Sequence, residues 1–228
     1  MPLFRRIVLA AALAGLIAGL AVTLAHAFST VPLILQAETY EEAAPTHEHD
    51  HGWQPEDGVE RTSFTVLADV LTGVGFGLLL VSAYTLRGRE VGWREGLCWG
   101  LAGFATFSLA PGLGLPPELP GTAAAPLLDR QLWWLATAVA TGGGLALVLL
   151  RRGPSAIVAG LALLALPHLV GAPALDVPGS AAPETLAHRF VLAVLGSSLL
   201  FWLALGAFSA FFYGRLSRGR EALAFRSP

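Results

Sequence analysis

FTVLADVLTGVGFGLLLVSAYTL, residues Phe64–Leu86, runs for 23 residues with one charged side chain, Asp69, and lies between Arg61 and Arg87. A helix needs about 17–25 predominantly apolar residues to cross a bilayer. The stretch has that length, so it reads as a membrane-spanning helix. Five more apolar runs lie near 7–30, 95–110, 131–150, 155–171 and 188–213. Those at 95–110 and 155–171 are short and are expected to end at Pro111 and Pro167. Composition agrees: 54% of the 228 residues are hydrophobic and 13% charged, with a mean hydropathy of +0.63. That is about half the charge of an ordinary soluble domain. A net charge of −2 and the lack of a basic patch give no hold for nucleic acid. The one cysteine, Cys98, excludes an intrachain disulfide.

The basic residues orient the spans. All 14 are Arg. Arg5 and Arg6, then Arg87, Arg89 and Arg94, then Arg151 and Arg152, and finally Arg215, Arg218, Arg220 and Arg226 fall on one side if all six runs cross. The positive-inside rule makes that side cytoplasmic. The expectation is an all-α polytopic protein of the cytoplasmic (inner) membrane, with six transmembrane helices and both termini cytoplasmic. It forms a single transmembrane domain over 1–228, with loops 31–62, 111–130 and 172–187 outside. Trp133 and Trp134 then fall at an outer boundary, and Trp93 and Trp99 near an inner one, as interfacial anchors. A competing feature is Arg5-Arg6, an apolar run and Ala25-His26-Ala27, which resemble a signal peptide and its cleavage site. The run is longer than the usual signal core and apolar sequence resumes at Val31–Leu35, which favours an uncleaved first helix.

The spans pair into three outward hairpins. Each returning helix opens with a charged or ionisable residue followed by Arg: Glu60-Arg61, Asp129-Arg130 and His188-Arg189. Each outgoing helix meets a proline near its outer end: Pro32, Pro111 and Pro167. Three hairpins of one polarity are parallel repeats about an axis along the membrane normal, a pseudo-threefold arrangement. Proline-interrupted spans in corresponding repeats point to a transport site, because broken helices offer carbonyls and helix ends to a cavity. The plainer alternative is that each proline only ends a helix at an interface.

The loop at 37–62 is rich in His and acid. Its centre, His47-Glu48-His49-Asp50-His51, holds three of the six histidines with carboxylates between them. Imidazole suits late first-row divalent metals. The tract lacks the spaced, pre-oriented ligands of a closed structural site, so it suits weak, exchangeable capture. The alternative is a solvated linker with incidental histidines.

Three residues within or near the spans complete the candidate metal set: His26, Asp69 and His168. Ionisable residues inside a span are functional by default. Asp69 shares a helical face with Thr62, Thr65 and Thr72; its alternative is an interhelical hydrogen bond or a pair with Arg61 or Arg189. His26 shares a face with Thr23 and Thr30, and His168 follows Pro167. Either can equally be a packing residue. His188 reads as a cap beside Arg189. The pairs Gly15/Gly19 and Gly96/Gly100 have the spacing of close helix contacts, a pattern common by chance. No phosphate-binding loop, catalytic triad order, H-E-x-x-H or C-x-x-C occurs, so nothing points to an enzyme.

The run Pro32-Leu33-Ile34-Leu35-Gln36-Ala37-Glu38-Thr39-Tyr40-Glu41 and the His-rich loop are followed by Pro55-Glu56-Asp57-Gly58-Val59-Glu60-Arg61-Thr62. Further on come Pro116-Pro117-Glu118-Leu119-Pro120-Gly121, Arg130-Gln131-Leu132-Trp133-Trp134 and Leu166-Pro167-His168-Leu169-Val170-Gly171-Ala172-Pro173. In these motifs the chain resembles the CbtA-type cobalt transporter subunits over nearly its whole length. The resemblance implies cobalt import for cobalamin synthesis, commonly with a small one-span companion of the CbtB type that carries its own histidines. It also implies five spans, one fewer than the six apolar runs.

The function expected is uptake of a divalent transition metal, cobalt first and nickel or zinc also compatible, with no permanently bound cofactor. His47, His49 and His51 would capture the ion, with Glu48 and Asp50 between them. They would pass it to a vestibule lined by His26, Asp69 and His168. Expected companions are membrane lipid, the one-span subunit and further copies of the chain. The rival is a metal-binding accessory or sensor subunit with no conduction path of its own. A quinone-linked redox subunit is a further rival, without a visible cofactor motif.

Overall fold

The computed structural model describes residues 2–42, 55–56, 58–89, 91–151, 153–175 and 179–224. They are helical almost throughout, with no strand among them. The helices are α1 (Leu3–Phe28), α2 (Val31–Glu42), α3 (Val59–Arg87), α4 (Trp93–Phe104), α5 (Ala110–Gly114), α6 (Leu127–Ala146), α7 (Pro154–Val170) and α8 (Glu184–Ala224). A π-helical turn, Ala105–Leu109, joins α4 to α5, and a second, Leu147–Arg151, extends α6. Five continuous helices are long and apolar enough to cross a membrane: Leu3–Phe28, Val59–Arg87, Trp93–Gly114, Leu127–Arg151 and Glu184–Ser217. The fifth apolar run forms the shorter α7, 17 residues, or about 26 Å at the helical rise. All six apolar runs are therefore helices, and five have a comfortable spanning length.

Two helix ends differ from expectation. Pro111 and Pro167 do not stop their helices. The proline ring clashes with the carbonyl four residues earlier. Before Pro111 the widened π turn, in which the Ala110 N–H donates to the Ala105 carbonyl, accommodates that clash, and the helix runs on to Gly114. Pro167 lies inside α7, which continues to Val170 and ends where Gly171 takes φ 86°. Pro32 behaves as a helix starter, at the second residue of α2.

The described residues fall into two compact units. One comprises those within 1–27, 49–101 and 197–228, the other those within 28–48 and 102–196. In the first unit α1 buries a ladder of small residues, Ala10, Ala11, Ala14, Gly15, Ala18, Gly19 and Val22. A Cβ on Gly73 would stand 2.5 Å from the Gly15 carbonyl oxygen, and one on Gly19 would stand 2.7 Å from Val70 Cα. The backbones of α1 and α3 thus touch, the mode of association that small residues permit in lipid. Gly96 and Gly100 meet Gly206 and Trp202 of α8 in the same way. Both glycine pairs that the sequence offered only as a common spacing are real crossings. Aromatic rings fill the wider gaps: Phe76 lies 4.7 Å from Trp202, and Tyr84 lies 5.5 Å from Trp99. Tyr84 hydrogen-bonds Ser209 (3.1 Å), and the Tyr213 hydroxyl accepts from Arg6 (2.9 Å) and Thr85 (3.2 Å). Arg87 pairs with Glu95 across the turn between α3 and α4.

The second unit has its own core of Ala37, Leu119, Ala182, Leu186 and Phe190, with Leu33, Ile34, Ala187 and Val194 packed against it. Arg130 pairs with Glu118 at 2.6 Å, so this basic residue of the expected outer side is neutralised locally. The segments after α5 and α7 are stitched by a bridge between Thr122 and Ser180, with Ala123 N–H donating to the Gly179 carbonyl at 2.8 Å. α6 and α7 touch through glycine, a Cβ on Gly144 standing 2.7 Å from the Gly160 carbonyl oxygen. Trp133 turns inward and is 9% exposed, so the expectation of an interfacial anchor fails for it. Gly114 and Ala172 flank it where a surface position would leave open space. Trp134 is the more exposed of the two, at 37%.

Candidate functional site

Two ionisable residues of the first unit, His26 and Asp69, are brought together by a glycine. Gly19 lets α1 approach the α3 backbone at Asp69 and Val70. Thr23 and His26 lie four and seven residues further on, so both share the contact face. With the backbones this close, their short side chains reach across. Thr23 Oγ1 donates to Asp69 Oδ2 at 2.8 Å and also lies 3.0 Å from the Gly19 carbonyl. His26 Nδ1 lies 3.3 Å from the same carboxylate oxygen. Asp69 is 18% exposed and His26 26%. A lone carboxylate inside a span is costly, and here it has two donors from the neighbouring helix.

Asp69 therefore makes the interhelical hydrogen bond that was one of its two readings, but with His26 and Thr23 instead of Arg61 or Arg189. Two other threonines of its expected polar stripe bond locally: Thr62 donates to the Gly58 carbonyl (2.7 Å) and Thr65 to the Arg61 carbonyl (2.9 Å). For His26 to donate through Nδ1 that nitrogen must carry the proton, which fixes the tautomer of the neutral ring.

His168 belongs to the second unit, in the last turn of α7. It is exposed, and its ring meets Trp133 edge-on at 6.1 Å. His188 is the fifth residue of α8 and pairs with Glu184 one turn earlier at 3.7 Å, both exposed; this is a side-chain pair along the helix and not a cap. Residues His47, Glu48, His49, Asp50 and His51 lie outside the described residues. Among the described residues no three His, Cys, Asp or Glu side chains cluster closely enough to hold an ion. The described part of the candidate set is thus a His–Asp pair in one unit and a single His in the other.

The sequence reading passed over the buried face of α6. Trp133, Thr137 and Thr141 recur at one-turn intervals, and their polar atoms have no hydrogen-bond partner among the described residues. The signal was present as a four-residue spacing, but an uncharged stripe within an apolar run carries little weight without its burial.

The family model for CbtA, described as a probable cobalt transporter subunit, matches residues 4–214. No curated protein and no solved structure matches the chain.

Proposed function

The chain belongs to the CbtA family of probable cobalt transporter subunits, and from that premise we propose that it imports a divalent transition metal, cobalt first, across the cytoplasmic membrane for cobalamin synthesis. The match over residues 4–214 carries this proposal. Five long apolar helices and a His–Asp pair held inside two of them support it. In this scheme the chain is one transmembrane domain of six spans in three outward hairpins, with α7 as the short sixth span and both termini cytoplasmic. It acts without enzymatic chemistry, beside a one-span companion subunit.

His47, His49 and His51, with Glu48 and Asp50, collect the ion outside the membrane. Asp69 then offers it a carboxylate. That group has about four lone-pair sites, so a cation can enter beside the Thr23 hydrogen bond while competing with His26. His26 and His168 act as further borderline ligands that select against Mg²⁺, which prefers oxygen. Weak ligation is what passage requires, since an ion must leave as well as enter.

Uptake of radioactive cobalt into cells with and without the chain, competed by nickel and zinc, tests the proposal. Equal uptake in the two would end it. The word subunit in the family description favours one rival, an accessory chain that needs its companion to conduct. Proteoliposomes holding the purified chain alone separate the two: flux supports conduction by this chain, and flux only after the companion is added supports the rival.

A further inference from the structure

The second unit holds buried polar groups that its own packing leaves unpaired. On α6, Trp133, Thr137 and Thr141 are 9%, 0% and 2% exposed. The Trp133 Nε1 and the Oγ1 atoms of both threonines make no hydrogen bond among the described residues. A threonine inside a helix ordinarily donates to the carbonyl four residues back, as Thr65 does to Arg61 and Thr85 to Val81, both at 2.9 Å. Thr137 and Thr141 do not. A buried hydroxyl without a partner costs as much as a lost hydrogen bond. Three such groups in successive turns of one face mark a polar line about 12 Å long at the helical rise.

The elements packed against α6 are those whose backbone bonding is broken. Pro111 has no N–H, and the Ala110 N–H is turned to the Ala105 carbonyl, so the Thr106 carbonyl has lost its usual helical donors. The Thr106 methyl lies 3.5 Å from where a Cβ on Gly142 of α6 would stand. Pro167 likewise withholds the N–H that the Leu163 carbonyl would accept, and Leu163 Cδ1 lies 3.8 Å from the Cβ position of Gly143. The packed neighbours of α6 add the Thr106 hydroxyl, whose Oγ1 lies 4.0 Å from the Cβ position of Gly142. Oxygens of this kind replace water around a cation without binding it tightly.

We propose that the Trp133–Thr137–Thr141 face of α6 lines a file in the second unit, along which the transported cation moves with part of its water shell. Thr137 and Thr141 substitute for lost waters. The Trp133 indole, a donor only, holds a water oxygen and not a bare ion, so Trp133 and the adjoining His168 mark the end at which the ion is still hydrated. The identity of the cation rests on the transport function proposed above; the hydrophilic character of the file does not.

The test is the double variant Thr137→Val/Thr141→Val, in which each hydroxyl becomes a methyl of similar shape. Removing unpaired hydroxyls leaves folding intact or improves it, so yield and melting temperature should match the parent protein. Cobalt flux in proteoliposomes should fall about tenfold or more, while Thr137→Ser/Thr141→Ser, which keeps both hydroxyls, stays within about twofold of the parent. Valine variants with parental flux overturn the proposal. A second measurement reads the file where the purified chain carries no flux. With Cys98→Ala as background, Thr137→Cys and Thr141→Cys should each react with 2-aminoethyl methanethiosulfonate, and Co²⁺ should slow the reaction. Failure to react at both positions shows a dry core and overturns the file. Reaction that Co²⁺ does not slow overturns the cation assignment. An absence of flux in the parent protein, with Co²⁺-sensitive labelling retained, counts against conduction by this chain alone and in favour of the file.

Discussion

Asp69 accepts hydrogen bonds from one neighbouring helix and also carries the one negative charge in α3 beyond its first turn. Two substitutions separate these roles. Asp69→Asn keeps an acceptor for Thr23 and removes the charge, so the protein should accumulate normally while maximal cobalt flux falls. Asp69→Ala should also weaken the pairing of α1 with α3, by on the order of 1 kcal/mol for an interhelical hydrogen bond in a membrane. Flux per folded molecule, together with thermal unfolding in detergent, tests both; parental flux in Asp69→Asn would remove Asp69 from the ion's path. The sequence marked Asp69 because an acid inside a span is conspicuous, and it placed Thr23 and His26 on one face. It could not pair the two helices. That pairing depends on Gly19, whose missing side chain matters only once α3 lies against it.

At the scale of elements, the glycines sort into contacts and open positions. A Cβ on Gly73 or Gly77 would meet the α1 backbone, whereas one on Gly75 or Gly196 would meet nothing within 4 Å. Gly75→Ala and Gly196→Ala should therefore raise stability by up to about 1 kcal/mol each through helix propensity alone. Gly73→Ala should instead cost folded protein, because the α1 and α3 backbones must part. Melting temperature and the yield of monodisperse protein distinguish the two classes, and a harmless Gly73→Ala would contradict the crossing. Apolar run length and Arg placement made six helices legible in the sequence. Where those helices end was less so. A proline marks a break in bonding, and at Pro111 a π turn absorbs the clash, a local adjustment that residue order does not encode.

For the whole molecule, orientation is the open expectation, and α7 decides it. If α7 crosses, thiols introduced by Glu118→Cys and Ser180→Cys label from outside and one introduced by Arg215→Cys labels only from within. Labelling of Ser180→Cys from within and of Arg215→Cys from outside would mean that only the five long helices cross, and would also contradict the Thr122–Ser180 bridge. The loop proposed to collect the ion has its own signature. Replacing His47, His49 and His51 with Ala should reduce uptake at low cobalt and spare it at saturation. Complete loss of flux at saturating cobalt in the triple variant would place the loop in the conduction path itself. α7 has 17 residues beside the 29 of α3. A hydrophobic segment of about 26 Å is shorter than an average bilayer core of about 30 Å, and each ångström of mismatch carries a cost. Lipids with short acyl chains match α7 and oblige α3 to tilt, whereas long chains stretch the membrane past both ends of α7. Transport rate should then depend on lipid chain length, fastest in thin vesicles and falling as the acyl chains grow.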